Sequence, residues 1–236
     1  MSLTNVHIET LAEDAWLLRF GNDIDVAINA RVHGAAAQIG AALSDIECVP
    51  SYASLLLRFD PRHWTDTQGR FAGHHLRDAI DSALRGAAVS ETPMKEVVIP
   101  VWYGAGEDLG DVAAHAGLSA VEVIARHTAV TYRVAMIGFA PGFPYLLGLD
   151  PTLAMPRRPT PRTSVPAGSV AIGGQQTGVY PQALPGGWQL IGRTPVQLFD
   201  VSAEPPSLLK PGDRVRFRAI DEAQFDRIAT QAGTAA

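Results

Sequence analysis

Cysteine is nearly missing from this 236-residue chain: Cys48 stands alone, so no internal disulfide or multi-cysteine zinc site can form. Its apolar surroundings read as those of a small core residue. Lysine is almost as scarce, with Lys95 and Lys210 set against 17 arginines. Any cationic site therefore rests on guanidinium groups, whose flat fork grips carboxylate or phosphate through two parallel hydrogen bonds. A basic block is missing too, and the net charge is −5. Both argue against nucleic acid or an anionic membrane as the main partner. No window approaches about 18 uncharged apolar residues, so no transmembrane helix is expected. Met1–Phe20 lacks a charged stretch followed by an unbroken apolar run. No signal peptide is read there, and the expected location is cytoplasmic.

Glycine and proline, by contrast, are abundant and unevenly placed. The chain has 22 Gly and 17 Pro, and 24 of these 39 fall between Gly138 and Gly212. Such a skew suggests disorder, but 47% of the residues are hydrophobic and the charge is weak, so the chain can bury a core. The glycines have no three-residue period, which excludes collagen. What remains is a folded domain of turns and short strands.

The first 90 residues read as a compact α/β unit. Val6–Leu11 and Ala15–Phe20 are predicted strands, Ile24–Leu43 a helix, Tyr52–Phe59 a buried strand and Asp66–Leu84 a second helix. The order β-β-α-β-α suits a small sheet covered by helices on one face. Gly86–Pro93 reads as a boundary. Beyond it come a strand at Glu96–Val101, a helix at Asp108–Ala116 and the pattern Ser119-Ala-Val-Glu122. That pattern is a capping box, starting a helix that reaches about His127. Val130–Phe139 is strand-like. Short apolar runs then alternate with Gly/Pro turns at Ser169–Ile172, Gly178–Tyr180, Trp188–Ile191, Val196–Phe199 and Arg214–Arg218. Their close spacing predicts a β-barrel or sandwich, ending in a helix at Glu222–Gln231.

Several familiar motifs fail on inspection. Gly104-Ala-Gly106 follows a strand, but the third glycine of a dinucleotide loop should fall where Leu109 stands. Neither lysine follows a glycine, so no Walker loop is present. His74 and His75 are adjacent and should point apart on a helix, and no His-Glu-x-x-His occurs; no metal site is expected. Ser169 lacks the second glycine of a nucleophile elbow.

The informative stretch is Gly138–Pro195. It holds Gly138-Phe-Ala-Pro-Gly-Phe-Pro-Tyr145, Pro156-Arg-Arg-Pro-Thr-Pro-Arg162 and Val165-Pro-Ala-Gly-Ser-Val-Ala-Ile-Gly-Gly174. Gln175-Gln-Thr-Gly-Val-Tyr-Pro181 and Pro185-Gly-Gly-Trp-Gln-Leu-Ile-Gly-Arg-Thr-Pro195 follow. Proline stiffens such loops, and glycine lets backbone N–H groups approach a ligand. Arg157, Arg158, Arg162 and Arg193 supply charge, while Phe139, Phe143, Tyr145, Tyr180 and Trp188 could wall a pocket for a small anionic or amide-containing ligand. The same residues are equally compatible with plain barrel turns whose arginines face water. His127 falls near the edge of an apolar helical face, where a histidine can simply stabilise the helix dipole at the surface.

These five blocks, in this order, resemble the family of the B-type 5-oxoprolinase subunits, also described as allophanate hydrolase subunit 1. That family includes a bacterial inhibitor of a sporulation histidine kinase. The resemblance runs over nearly the whole chain. Gly173 stands where the family often has alanine and Val179 where it often has isoleucine; neither change removes a polar side chain. The resemblance implies an α+β chain: a small N-terminal α/β domain of ferredoxin-like type over residues 1–90, then a cyclophilin-like β-barrel domain over 91–236. It also implies a companion larger subunit with a related barrel and a third subunit, without which this chain is inactive. The implied reaction is ATP-dependent opening of the 5-oxoproline lactam to glutamate, with ATP used by the complex. An allophanate- or urea-type amide hydrolase or carboxyltransferase is the neighbouring alternative. A protein that binds and inhibits a sensor histidine kinase is another.

A lactam carbonyl is a poor electrophile, and phosphorylating its oxygen would create a good leaving group. Arginine could hold the substrate carboxylate or neutralise phosphoryl charge, and a glutamine amide could pair with the lactam N–H and C=O. Arg162 and Gln176 are therefore the first catalytic candidates, with His127 as a proton-transfer group because histidine titrates near neutral pH. Phe139, Pro141, Gly142, Phe143, Arg158, Gly168, Tyr180, Trp188 and Arg193 are the expected substrate-binding set.

Overall fold

The computed structural model describes residues 6–86 and 95–234. They belong to two compact units, Met1–Pro93 and Met94–Ala236. Past Gly86, the expected boundary at Gly86–Pro93 lies outside the described residues.

In the N-terminal unit, His7–Ala12 (β1) and Ala15–Arg19 (β2) form a hairpin, followed by a helix at Val26–Ala42 (α1). The Asp25 carboxylate caps α1 by accepting from the N–H groups of Ala27 and Ile28 at 2.8 and 2.9 Å. Two further strands, Glu47–Pro50 (β3) and Ser54–Arg58 (β4), complete an antiparallel sheet in the order β1-β2-β4-β3. A helix at Gly73–Arg85 (α2) ends the unit. Alternation sends Trp16, Leu18, Leu55 and Leu57 into a core shared with Val32 and Ile39 of α1 and Leu76 and Ile80 of α2. β3 was not expected from the sequence; it holds four residues, with Cys48 half-buried in it. Burial pushes the Cys48 thiol up to about 11. The second helix starts seven residues later than its apolar spacing predicts, because Asp66 folds the chain into a turn instead. Its carboxylate accepts from Gln68 N at 2.8 Å and Arg70 N at 3.0 Å. The expectation that His74 and His75 point apart is also corrected: their rings lie 4.3 Å from each other.

The C-terminal unit is built on a closed barrel. Its strands are Glu96–Trp102 (β5), Thr131–Ile137 (β6), Pro144–Leu147 (β7), Ser169–Gly173 (β9), Gln176–Val179 (β10), Gln189–Arg193 (β12) and Arg214–Ile220 (β13). They close in the order β10-β7-β6-β13-β5-β12-β9. Arg162–Val165 (β8) and Leu184–Gly186 (β11) form a separate two-stranded ribbon. The helices are Leu109–Ala116 (α3), Ala120–Ala129 (α4) and Glu222–Thr234 (α5). The capping box is formed as the sequence predicts: Ser119 N donates to Glu122 Oε2 at 2.8 Å and Glu122 N to Ser119 Oγ at 3.3 Å. Val196–Phe199 is not a strand; it makes a single bridge, Phe199 to Ser207. β7, β8 and β11 are strands of three or four residues that the Gly/Pro-rich sequence hides. No helix among the described residues is long and apolar enough to cross a membrane.

Strand alternation divides this unit's apolar residues between two places. Val170 and Ile172 join Ile99, Tyr132, Val215 and Phe217 in the main core, where Val112 of α3 and Val123 of α4 also pack. Ala171, between them in β9, faces the other way and joins a smaller cluster with Phe143, Tyr180, Trp188 and Leu190. The candidate site grows from this second cluster.

Candidate functional site

The Gly138–Phe143 turn closes through Phe143 N to Ala140 O at 3.0 Å and Gly138 N to Phe143 O at 3.2 Å. Pro141 and Gly142 shape that turn, which delivers Phe143 to the aromatic cluster. Phe143 meets Tyr180 and Trp188 edge-on at ring distances of 5.2 and 5.7 Å, and Tyr145 lies 4.9 Å away. Above them sits Phe139, the one non-glycine described residue with a positive φ, at 70°. A bulky side chain is rare in that conformation, which costs on the order of 1–3 kcal/mol and persists only where surrounding structure enforces it. Phe139 is nevertheless 60% exposed, with its ring edge-on to Phe143 at 5.4 Å.

These rings wall a cavity of about 300 Å³. Arg157, Arg158 and Pro161 line another side, and Pro185, Gly186 and Gly187 of the β11 end close it. The proline-rich segment is pinned along its length. Met155 and Gly174 exchange backbone hydrogen bonds of 3.2 and 2.8 Å, Gln189 Nε2 donates to Pro156 O at 2.9 Å, and Arg158 N donates to Gly187 O at 2.7 Å. Trp188 lies flat over Gly173, where an added Cβ would fall 2.6 Å from the indole ring. Only glycine allows that approach.

The arginines divide into two kinds. Arg162 Nη2 and Arg158 Nη1 both donate to Asp108 Oδ1, at 2.8 and 3.0 Å, and Arg162 Nη2 also reaches Glu107 Oε2 at 3.2 Å. Asp108 is buried, and its second oxygen accepts from Leu190 N at 2.7 Å. The Asp108 hydrogen bond holds the Arg162 guanidinium above its usual range and keeps it charged. Two donors remain over: Arg158 Nε and Arg162 Nη1 are buried without a hydrogen-bond partner. Arg157 differs. Its guanidinium lies over the Trp188 ring, 5.6 Å from the centroid, on the cavity wall, and it makes no ion pair among the described residues.

Of the expected site residues, Phe139, Phe143, Arg158, Tyr180 and Trp188 line the cavity. Gln176 is buried in β10 and does not line it, though it lies on the strand face turned toward the aromatic cluster. On that face the missing side chain of Gly178 borders the Phe143 ring. Gly168 holds the chain at φ 80°, 2.2 Å from Thr194 O at its would-be Cβ, and ties Tyr180 O through its N–H at 2.7 Å. Arg193 points elsewhere: its Nε donates to Ala167 O at 3.0 Å and its guanidinium covers Phe225 of α5.

His127 is corrected most strongly. It is not at a helix surface but fully buried inside the barrel, its ring stacked on Phe217 at 4.6 Å. Thr177 Oγ1 donates to Ala171 O, so it accepts from His127 Nε2 at 3.0 Å; Nδ1 then accepts from the Tyr103 hydroxyl at 2.7 Å. Burial depresses the imidazole to about 3, so the near-neutral titration expected of a histidine is lost here. Sequence reasoning passed over Asp108, whose only signal was its place before α3. It named Arg157 and Tyr145 among the stiff loops without selecting them.

The C-terminal unit is thus a closed barrel with an aromatic site on its outer side, in an α+β chain. Residues 6–209 match the family described as carboxyltransferase domain, subdomain C and D. The chain is 43% identical to the B-type 5-oxoprolinase subunit of Bacillus subtilis over 226 residues, covering 92% of this chain and 94% of that protein. The crystal structure of TTHA0988 is 40% identical with a TM-score of 0.74 over 88% of this chain; the match spans only 39% of that longer protein. The Kluyveromyces lactis urea carboxylase shares the fold, with a TM-score of 0.71 at 21% identity over 96% of this chain and 23% of that one. The chain belongs to the carboxyltransferase-domain family and, within it, to the group of B-type 5-oxoprolinase subunits.

Proposed function

We propose that this chain is the B-type subunit of an ATP-dependent 5-oxoprolinase, contributing a substrate-binding cavity to a complex that opens 5-oxoproline to glutamate. The observation that carries the proposal is the Arg157 guanidinium, without an ion pair among the described residues, lying on Trp188 at the wall of an aromatic cavity. 5-Oxoproline is a small neutral lactam ring bearing one carboxylate. Arg157 would take the carboxylate, with Arg158 beside it, while Phe143, Tyr180 and Trp188 cover the ring and exclude water. Phe139 at the rim would cover its open side. Gln176 and the leftover Nη1 of Arg162 are donors behind this wall and would position rather than touch the ring.

The loop that most nearly imitates a nucleotide motif is engaged in packing. Gly104-Ala105-Gly106, the glycine pair nearest a helix start, is packed on β12: a Cβ on Gly106 would fall 2.3 Å from the Ile191 backbone. ATP binding is assigned to the companion subunits. The complete enzyme is thus a hetero-oligomer in which this chain alone is inactive.

The test is reconstitution. Purified chain is assayed alone and with the companion subunits for 5-oxoproline-dependent ATP hydrolysis; turnover is expected only in the full mixture. ATP hydrolysis driven by allophanate or urea, with none from 5-oxoproline, would shift the assignment to the neighbouring amide chemistry. No substrate-dependent hydrolysis in any mixture overturns it.

A further inference from the structure

The strand Arg214-Val-Arg-Phe-Arg218 in β13 alternates strictly. Val215 and Phe217 are buried in the barrel core, so Arg214, Arg216 and Arg218 stand exposed on the outer face. The neighbouring strands extend the pattern. Arg133 of β6 lies directly opposite Arg214, and Val98 of β5 lies opposite Arg216. Val98 is 47% exposed, a large apolar side chain left uncovered amid guanidinium groups. Glu96 of β5, opposite Arg214 in the register, lies 3.6 Å from Arg216, with both side chains about half exposed. Arg214 and Arg218 make no ion pair among the described residues.

Like charges directly opposite on adjacent strands repel, and Arg214 faces Arg133 of β6, while Glu96 is the one carboxylate that β5 sets against the row. On a chain with net charge −5, a face carrying four arginines and one carboxylate is a local reversal of sign. Arginine beside an uncovered apolar residue is also the composition of protein–protein interface centres. We propose that the outer face of β13, with Val98 at its middle, docks a carboxylate-bearing surface of a companion subunit of the complex. The inference rests on the multi-subunit reading above. A single ladder of this length on an acidic chain suits a protein face better than a phosphate polymer or an anionic bilayer, which call for a broad basic field.

The test compares the wild-type chain with R214E/R216E/R218E and with R214K/R216K/R218K, none of which touches the aromatic cavity. Binding to the purified companion subunits is measured by calorimetry at about 50 and about 500 mM NaCl, with thermal melts to verify folding. Charge reversal is expected to weaken binding at least about tenfold, lysine replacement by less than about threefold, and high salt to weaken the wild type and the lysine variant but not the charge-reversed one. Should the triple glutamate variant fail to melt cooperatively, R216Q/R218Q is read in its place. Binding unchanged within twofold on reversal, and insensitive to salt, overturns the docking surface. Tighter binding of the wild type to phosphatidylserine vesicles or duplex DNA than to the companions overturns the choice of a protein partner. Salt-sensitive, reversal-sensitive association without 5-oxoproline-dependent ATP hydrolysis supports the surface while overturning the enzymatic reading. No association at all overturns both.

Discussion

Arg162 Nη2 and Asp108 Oδ1 meet at 2.8 Å across 54 residues of sequence, and Arg158 donates to the same oxygen at 3.0 Å. One buried carboxylate therefore anchors the proline-rich segment to the start of α3, and through Leu190 N to β12. The arginine that the sequence ranks first is engaged in holding the site together. Arg157, its unranked neighbour, is left facing the cavity.

Asp108→Asn keeps the shape but leaves two guanidinium groups against a neutral amide. Breaking a buried pair costs about 3–5 kcal/mol; partial exposure of Arg158 screens its share, so the expected loss is about 2–3 kcal/mol in urea unfolding. A loss below about 0.5 kcal/mol would mean the pair does not anchor the segment.

Arg157→Ala removes an exposed side chain with no structural hydrogen bond among those described. Stability should stay within about 0.5 kcal/mol, while affinity of the reconstituted complex for 5-oxoproline falls about tenfold. Arg157→Lys keeps the charge but not the flat stack on Trp188, and should recover only part of the affinity. Isothermal calorimetry measures both.

Phe139 separates stability from binding. Phe139→Gly relieves the cost of φ at 70° and should raise the melting temperature or leave it level, while Phe139→Ala keeps the strain and lowers it. Both lose the ring at the rim and should bind 5-oxoproline more weakly. If Phe139→Gly is the less stable of the two, the strain is not stored at this residue.

His127 gives the barrel a pH dependence. Its folded value of about 3 lies below the ordinary 6.5, so between them the unfolded chain binds the extra proton. The contribution is complete above about pH 6.5 and is lost as pH falls toward 3, at roughly 1.4 kcal/mol per pH unit. Urea unfolding at pH about 6 and about 4 should show a slope steeper by one proton in wild type than in His127→Gln. Equal slopes would mean that the ring is not buried in neutral form.

Gly173→Ala places a methyl group 2.6 Å from the Trp188 ring, within a strand that cannot move aside. The indole must tilt into the cavity, at a cost of about 1–3 kcal/mol. Near-UV circular dichroism should change together with weaker 5-oxoproline binding; an unaltered spectrum would show that the ring has room.

Elements with an uninterrupted local signal were legible in the sequence. The alternating strands β2, β5 and β13, the capped helix α4 and the aromatic loops are all specified by neighbouring residues, since alternation and capping act over a few positions. The short strands β3, β7, β8 and β11 were not, because three or four residues carry too little pattern and their pairing partners are distant. Asp66 shows the limit from the other side: apolar spacing extends a helix through it, but its carboxylate bonds its own downstream backbone and makes a turn.

Composition and short-range spacing were enough to specify a small α/β unit followed by a barrel or sandwich, and to place aromatics and guanidinium groups on the Gly/Pro-rich loops. What each polar group does was settled only in the folded chain. Folding tied Arg162 to Asp108, left Arg157 on Trp188, and withdrew His127 into the core. Charge and protonation depend on burial and on partners tens of residues away, and neither is written at the position itself.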